Sequence, residues 1–336
     1  MSVLKLQRPE RSKPVKPALR LVKTNDLSRD DWLTVRKGGV GSSDAAAAVG
    51  LNPYKSQLEL WMEKTGRDAG LPKKTDPNDE TSPMYWGTLL EPIVAAHYTK
   101  RTGHKVRRIN AVLQHPSEPW MLANLDREVV GVPDVQILEC KTAGMNGARL
   151  WRDGVPEYIQ LQVLHQLAVT GKQAADVAVL ICGQELQVHR IERNEPMIKQ
   201  LMLLERQFWS YVELDEQPPS DGSDSADVAL RALYPRDCGK TIDLSRDLVM
   251  SAAFSDLLSV RQFLAAHTKL ESELKQRIQQ RMGEASQAVF ENGDVTWKRS
   301  KDGSALDVET LLKDQPDLLE RYSLPKAGSR RFLIND

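Results

Sequence analysis

LANLDREVVGVPDVQILECKTA, residues 122–143, holds two aspartates, either of which could be the acidic partner of the run ILECK. Suppose 121–129 and 135–142 are antiparallel strands joined through Gly131, Val132, Pro133 and Asp134; facing residue numbers then sum to 265. That register sets Asp126 across from Glu139, where the Cβ atoms of opposed residues lie roughly 5 Å apart. Asp134 instead stands five residues from Glu139 on one strand, about 16 Å away at ~3.3 Å per residue. The two could not share an ion. Lys141 follows Glu139 by two and so projects from the same face. Two carboxylates and a lysine at one spot suit metal-assisted phosphodiester hydrolysis, because hard oxygen ligands hold Mg²⁺ and the ammonium stabilises developing negative charge. A cross-strand charge cluster on a wet sheet face is the plain alternative, and an ExK tripeptide alone does not decide between them.

The 336-residue chain has ordinary apolar content and equal numbers of basic and acidic residues, 46 each. Zero formal charge argues against a protein that coats nucleic acid indiscriminately. Charge is uneven, however: residues 5–23 carry Lys5, Arg8, Arg11, Lys13, Lys16, Arg20 and Lys23 against Glu10, whereas 213–227 are acidic. The basic stretch, with prolines 9, 14 and 17, reads as an extended arm suited to phosphates or as a solvated tail. No secretory pattern opens the chain and no stretch is expected to cross a membrane. A cytoplasmic protein without membrane partners is the expectation. Cys140, Cys182 and Cys238 lie far apart without CxxC spacing, which excludes a cysteine zinc site and a disulfide framework.

Periodicity and capping predict helices near 28–35, 56–64, 85–100, 156–170 and 195–213, with strands near 104–114, 120–130, 135–142, 175–182 and 185–192. The Pro- and Ser-rich stretch from Glu216 to Asp227 reads as a linker or surface loop. A long helix over 246–284, a hairpin turning at Asn292 and Gly293, a helix near 307–314 and a terminal strand in RRFLIN complete the chain. The organisation expected is a basic arm over 1–26, a core over 27–218, a linker over 219–245 and a C-terminal helix-plus-hairpin extension over 246–336, packed on the core or on a neighbouring subunit. Trp32, Trp61, Trp86 and Trp120 read as core anchors, and the six histidines show no metal spacing. His165, beside Gln162 on one helix, suits the core or a place behind a site.

GGVGSSD, residues 38–44, poses a separate question. Consecutive glycines let backbone amides approach an anion, and the helix beginning at Ser42 offers free N–H groups. Arg36 adds a bidentate donor and Ser43 a hydroxyl. A glycine turn with ordinary capping by Ser43 or Asp44 is the competing reading.

Four blocks in order settle the comparison: RKGGVGSSDAAAAVGLNPYKSQLELWMEKTG (36–66), WGTLLEPIVAAHY (86–98), LANLDREV with LECKTA, and QVLHQLAVTG (162–171). Together they resemble the λ-exonuclease type of phage recombination nuclease, in its YqaJ-like branch of the PD-(D/E)xK superfamily. The resemblance implies an α/β fold with a restriction-endonuclease-like core, a central mixed sheet flanked by helices. It makes Asp126, Glu139 and Glu91 metal ligands together with the backbone carbonyl of Cys140, Lys141 the catalytic lysine and Gln162 the active-site glutamine. The family's second glutamine, two residues on, is Leu164 here, and Gln160 is an accidental near-match. Arg36, Ser43 and Ser42 would hold a DNA 5′-phosphate or a nearby backbone phosphate.

The same resemblance implies Mg²⁺, with Mn²⁺ as substitute and two ions per site, and 5′-to-3′ digestion of one strand of linear double-stranded DNA bearing a 5′-phosphate. It further implies a homotrimeric ring, a single-strand annealing protein as partner, and a bacterial or prophage origin. Two other functions compete. A RecB-like or restriction-type nuclease of a repair complex, in its iron–sulfur form, needs four cysteine ligands and the chain has three. A non-catalytic DNA-end-binding protein would have no need of Glu139 and Lys141, and both are present.

Overall fold

The computed structural model describes residues 17–25, 27–72, 78–325 and 328–334. The chain divides into two units, the first ending at Pro235 and the second starting at Arg236. In the first, β1 (Leu19–Lys23) leads into α1 (Arg29–Lys37), whose first turn is closed by the Ser28 hydroxyl accepting from the Asp31 amide at 3.1 Å. The glycine stretch makes β2 (Val40–Gly41), a 3-10 turn over Ser42–Asp44 and the buried α2 (Ala45–Ala48). Ser56 caps α3 (Gln57–Lys64). Ser82 caps α4 (Pro83–Thr102), which ends at a left-handed Gly103, the conformation that favours glycine there. Next come β3 (Lys105–Arg107), β4 (Ala111–Gln114), β5 (Met121–Ala123), β6 (Arg127–Val130) and β7 (Ile137–Ala143). Then follow α5 (Met145–Ala148), α6 (Glu157–Thr170), β8 (Ala174–Ile181), β9 (Glu185–Glu192), α7 (Glu195–Glu213) and α8 (Asp224–Leu233).

A five-stranded mixed sheet runs β3-β6-β7-β8-β9, with β7 and β8 parallel and the other pairs antiparallel. A four-stranded sheet runs β1-β4-β5-β2. Side chains along β7 alternate between two cores. Leu138 and Cys140 join Val94, Ala95 and Tyr98 of α4, whereas Ile137 joins Val163 and Leu167 of α6. The sheet is thus helix-covered on both faces, a mixed α/β architecture. β8 is central and buried along most of its length, which is why ADVAVL reads as a nearly continuous apolar run. Its one charge, Asp176, accepts from Tyr98 Oη at 2.6 Å and Arg190 Nε at 2.5 Å.

In the smaller sheet β2 lies so close to β5 that only glycine fits at 39. A Cβ there would stand 2.5 Å from the Trp120 carbonyl oxygen and 2.9 Å from Leu122 Cγ.

Several expectations need correction. The strand expected over 120–130 is two strands in different sheets, broken over Asn124, Leu125 and Asp126, because β5 pairs with β4 and β2 while β6 pairs with β3 and β7. The segment 104–114 divides likewise into β3 and β4. Residues 19–23 of the expected arm form β1, whose residues pair with β4, and residues 1–16 of the arm lie outside the described residues. The expected linker contains α8, which buries Ala226 and Ala229 and whose Ser225 hydroxyl donates to Glu59 at 2.6 Å. Trp61 and Trp120 are buried, but Trp86 is half exposed, its indole N–H donated to the Glu80 carbonyl.

The second unit contains α9 (Leu248–Met282), capped by Asp247, the hairpin of β10 (Gln287–Phe290) and β11 (Gly293–Thr296), and the short α10 (Val308–Asp314) and α11 (Asp317–Tyr322). The hairpin register pairs Phe290 with Gly293, so Glu291 and Asn292 are the turn, one residue earlier than expected. Described residues 330–334 form no strand, since they pair with no neighbouring strand. By length and composition the first half of α9 is apolar enough to cross a membrane, contrary to the reading of the sequence. That stretch carries Asp256 and Arg261, which cost energy in a bilayer.

Candidate active site

The pairing Arg127↔Leu138 and Glu128↔Ile137 realises the register in which facing numbers sum to 265. Asp126 lies just past the last ladder pair, and its Oδ2 accepts from the Cys140 amide at 2.8 Å. A side-chain oxygen thereby meets a β7 amide where β6 has ended, which fixes the carboxylate beside β7. Glu139 and Lys141 project to the α6 face. The Lys141 ammonium donates to Glu139 Oε1 at 2.6 Å and to Gln162 Oε1 at 3.0 Å. Gln162 Nε2 donates to Glu139 Oε1 at 2.5 Å, and Gln166 Nε2, one helical turn later, to Glu139 Oε2 at 2.7 Å. Both oxygens of a buried carboxylate are therefore held by α6.

Glu91, on α4, is separately engaged: its Oε1 is paired with Arg127 Nη1, and Arg108 Nη2 lies 4.0 Å away. Arg36 Nη2, in the last turn of α1, donates to Ser43 Oγ at 2.8 Å and Asp44 Oδ1 at 3.0 Å, with its guanidinium 4.8 Å from the Trp32 ring centroid. Lys64 Nζ meets the other oxygen of Asp44 at 2.7 Å. Within the glycine stretch, the Gly41 amide is engaged, donating to Asp44 Oδ2 at 3.2 Å. The buried Ser42 hydroxyl has no hydrogen-bond partner among the described residues.

These groups line one cleft of about 640 Å³: Arg36, Ser42, Ser43, Glu91, Asp126, Glu139, Cys140, Lys141 and Gln162 all reach it. Gln160 is elsewhere, donating to the Val155 carbonyl, and Asp134 is absent from the lining. The sequence reading missed Gln166, Arg127 and Tyr158. Spacing of four from Gln162 was the available signal for Gln166; nothing in the sequence pairs Arg127 with Glu91.

Burial, and next the Glu139 charge, push the Asp126 carboxyl up to about 8. For Lys141, burial opposes the charge, but Glu139 and Asp126 outweigh it and hold the ammonium above its ordinary pKa. Asp44 shows the opposite balance to Asp126: burial would raise it, yet Lys64 and Arg36 hold it well below the usual carboxylate range. Of these three groups only Arg36 lines the cleft, with Asp44 and Lys64 behind it. Burial pushes the Cys140 thiol up, which keeps it neutral.

The donor chemistry fits a hard divalent cation. Asp126, half-buried, and Glu139, buried, are crowded carboxylates whose mutual repulsion such an ion would relieve. Among the described residues no three His, Cys, Asp or Glu side chains already stand as a complete set, Glu91 being turned to Arg127.

The fold and the cleft define a mixed α/β protein with an acid, acid and lysine constellation. Residues 31–173 match the model of the YqaJ-like viral recombinase domain. The uncharacterized protein YqaJ of Bacillus subtilis strain 168 is 34% identical over 321 residues, 94% of this chain and 97% of that protein. The chain belongs to the YqaJ-like viral recombinase family. Protein D345L of African swine fever virus is 42% identical over 74 residues, which is 22% of this chain and 19% of that protein. An alkaline exonuclease from Laribacter hongkongensis superimposes with a TM-score of 0.45 at 23% identity, over 55% of this chain and 93% of that one.

Proposed function

We propose that the protein is a Mg²⁺-dependent 5′-to-3′ exonuclease that digests one strand of linear double-stranded DNA and leaves 3′ single-stranded tails for strand annealing. Family membership supports a nuclease acting in recombination. The observation that carries the finer reading is that the Asp126, Glu139 and Lys141 cluster and the Arg36, Ser42 and Ser43 group line the same cleft. One end of it suits a scissile phosphate and the other a terminal one.

Asp126, Glu139, Glu91 and the Cys140 carbonyl would hold Mg²⁺ or Mn²⁺, two ions at full occupancy. The metal supplies polarisation of the phosphoryl oxygen and lowers the pKa of a bound water. Gln162 and Gln166 orient Glu139 through both of its oxygens. Lys141, held protonated by its acidic neighbours, supplies positive charge where negative charge develops on the attacked phosphate. Arg36 offers a forked donor and Ser42 an unengaged hydroxyl to a 5′-phosphate. We place the protein in the cytoplasm of a bacterial host, as a homotrimeric ring working with a single-strand annealing protein.

Three DNAs incubated with Mg²⁺ test this: a 5′-phosphorylated linear duplex, its dephosphorylated form and a closed circle. The wild type should digest the phosphorylated linear duplex fastest and spare the circle, and Lys141→Ala should lose about 10³-fold or more of the rate. Cleavage of the circle would sink the exonuclease reading, and digestion indifferent to Lys141→Ala would sink the enzyme reading. Arg36→Ala should narrow the gap between the two linear duplexes; an unchanged ratio removes Arg36 from phosphate recognition.

A further inference from the structure

Arg127 follows Asp126 in the chain and, by strand alternation, points to the opposite face of the sheet. Its cross-strand partner Leu138 packs with Val94 on the α4 side, so the guanidinium is delivered toward α4 and meets Glu91. The Arg127 side chain is 8% exposed against 27% for Glu91. Nη1 of Arg127 donates both to Glu91 Oε1 and, at 2.6 Å, to the Asp126 carbonyl. One guanidinium thus ties the backbone at one candidate metal ligand to the carboxylate of another. An arginine this buried is stable only with a counter-charge, and Glu91 supplies it.

We infer that Arg127 is a positioning residue for Glu91, an internal cation that competes with a divalent metal ion for the third carboxylate of the cleft. The inference rests on the metal-binding reading above. Without Arg127, Glu91 would add a third carboxylate to Asp126 and Glu139, with Lys141 on Glu139 and the exposed Arg108, 4.0 Å from Glu91, as the remaining cations. The ion pair therefore steadies the metal-free cleft and weakens its affinity for metal. Binding of the ion and release of Glu91 from Arg127 are coupled, so disturbing the pair changes metal affinity through Glu91 and not through the general field of a positive charge.

The test uses full-length protein stripped with chelator, calorimetric titration with Mn²⁺, and thermal melts in chelator. Arg127→Gln should bind Mn²⁺ about tenfold tighter, the scale of one charge-assisted hydrogen bond, and should melt lower than wild type without metal. In a Glu91→Gln background the same substitution should change affinity by less than about twofold. Affinity unchanged by Arg127→Gln overturns the inference, and so does a gain that persists without the Glu91 carboxylate. Should Arg127→Gln not fold, Arg127→Met removes the charge while keeping a long stem, and unchanged Mn²⁺ affinity there overturns the inference equally. A wild type that binds no Mn²⁺ is a distinct result, since it removes the metal-site reading itself.

Discussion

At the scale of the residue, Asp126 concentrates the chemistry of the cleft because it is half-buried and crowded by Glu139. Its carboxyl, pushed up to about 8 by burial and Glu139, prefers the proton in the folded chain without metal. A group raised in this direction contributes stability that is fully present below its unfolded value near 3.8 and is lost as pH rises through about 8. Asp126→Asn keeps an oxygen for the Cys140 amide and cannot ionise. In chelator its melting temperature should match wild type near pH 4 and exceed it by about 5–10 °C above pH 8. A gap of constant size across that range would show that the charge of Asp126 is not what destabilises the metal-free cleft.

Among the elements, α6 does the most to connect the site to the scaffold. Gln162 and Gln166 face Glu139, while His165 turns the other way, donating Nε2–H to the Leu122 carbonyl and pairing through Nδ1 with Glu205 at 2.7 Å, both side chains fully buried. β5 and the start of the Asn124–Asp126 crossing are thereby fixed against the helix that holds Glu139. Burial opposes the imidazolium, but Glu205 outweighs it and raises the pKa above 6.5. The pair's contribution is therefore fully present below about pH 6.5 and fades as pH rises through the raised value. His165→Gln leaves Glu205 buried without its cation and should cost about 3–5 kcal/mol at pH 6 by denaturant unfolding. The loss should shrink on the alkaline side; an equal loss at pH 6 and pH 10 would mean the histidine acts by shape alone.

The whole molecule raises the question of what covers α9. None of its 35 residues is buried, and Leu248, Val249, Phe263 and Leu264 are each more than half exposed. That is more apolar surface than a solitary soluble chain ordinarily leaves open. If the chain forms the proposed trimer, light scattering on the full chain should give three times the 37.8 kDa subunit mass. A monomeric mass at micromolar concentration would dismiss the ring.

Capping residues at Ser28, Ser56, Gly103 and Gly171 made most helices legible in the sequence, because those signals act within one turn of chain. The hairpin register was legible too, since a period of two and a short turn leave few alternatives. By itself the sequence determined that Asp126, and not Asp134, stands with Glu139 and Lys141. What only the tertiary structure decided is whom each charge answers to: Arg127 takes Glu91, Asp44 takes Arg36 and Lys64, and Gln166 takes the second oxygen of Glu139. It also decided that the strand carrying Asp126 breaks between two sheets. Local periodicity records which face a residue occupies, whereas these ion pairs and hydrogen bonds join groups 8 to 36 positions apart, where burial sets the strength of every charge.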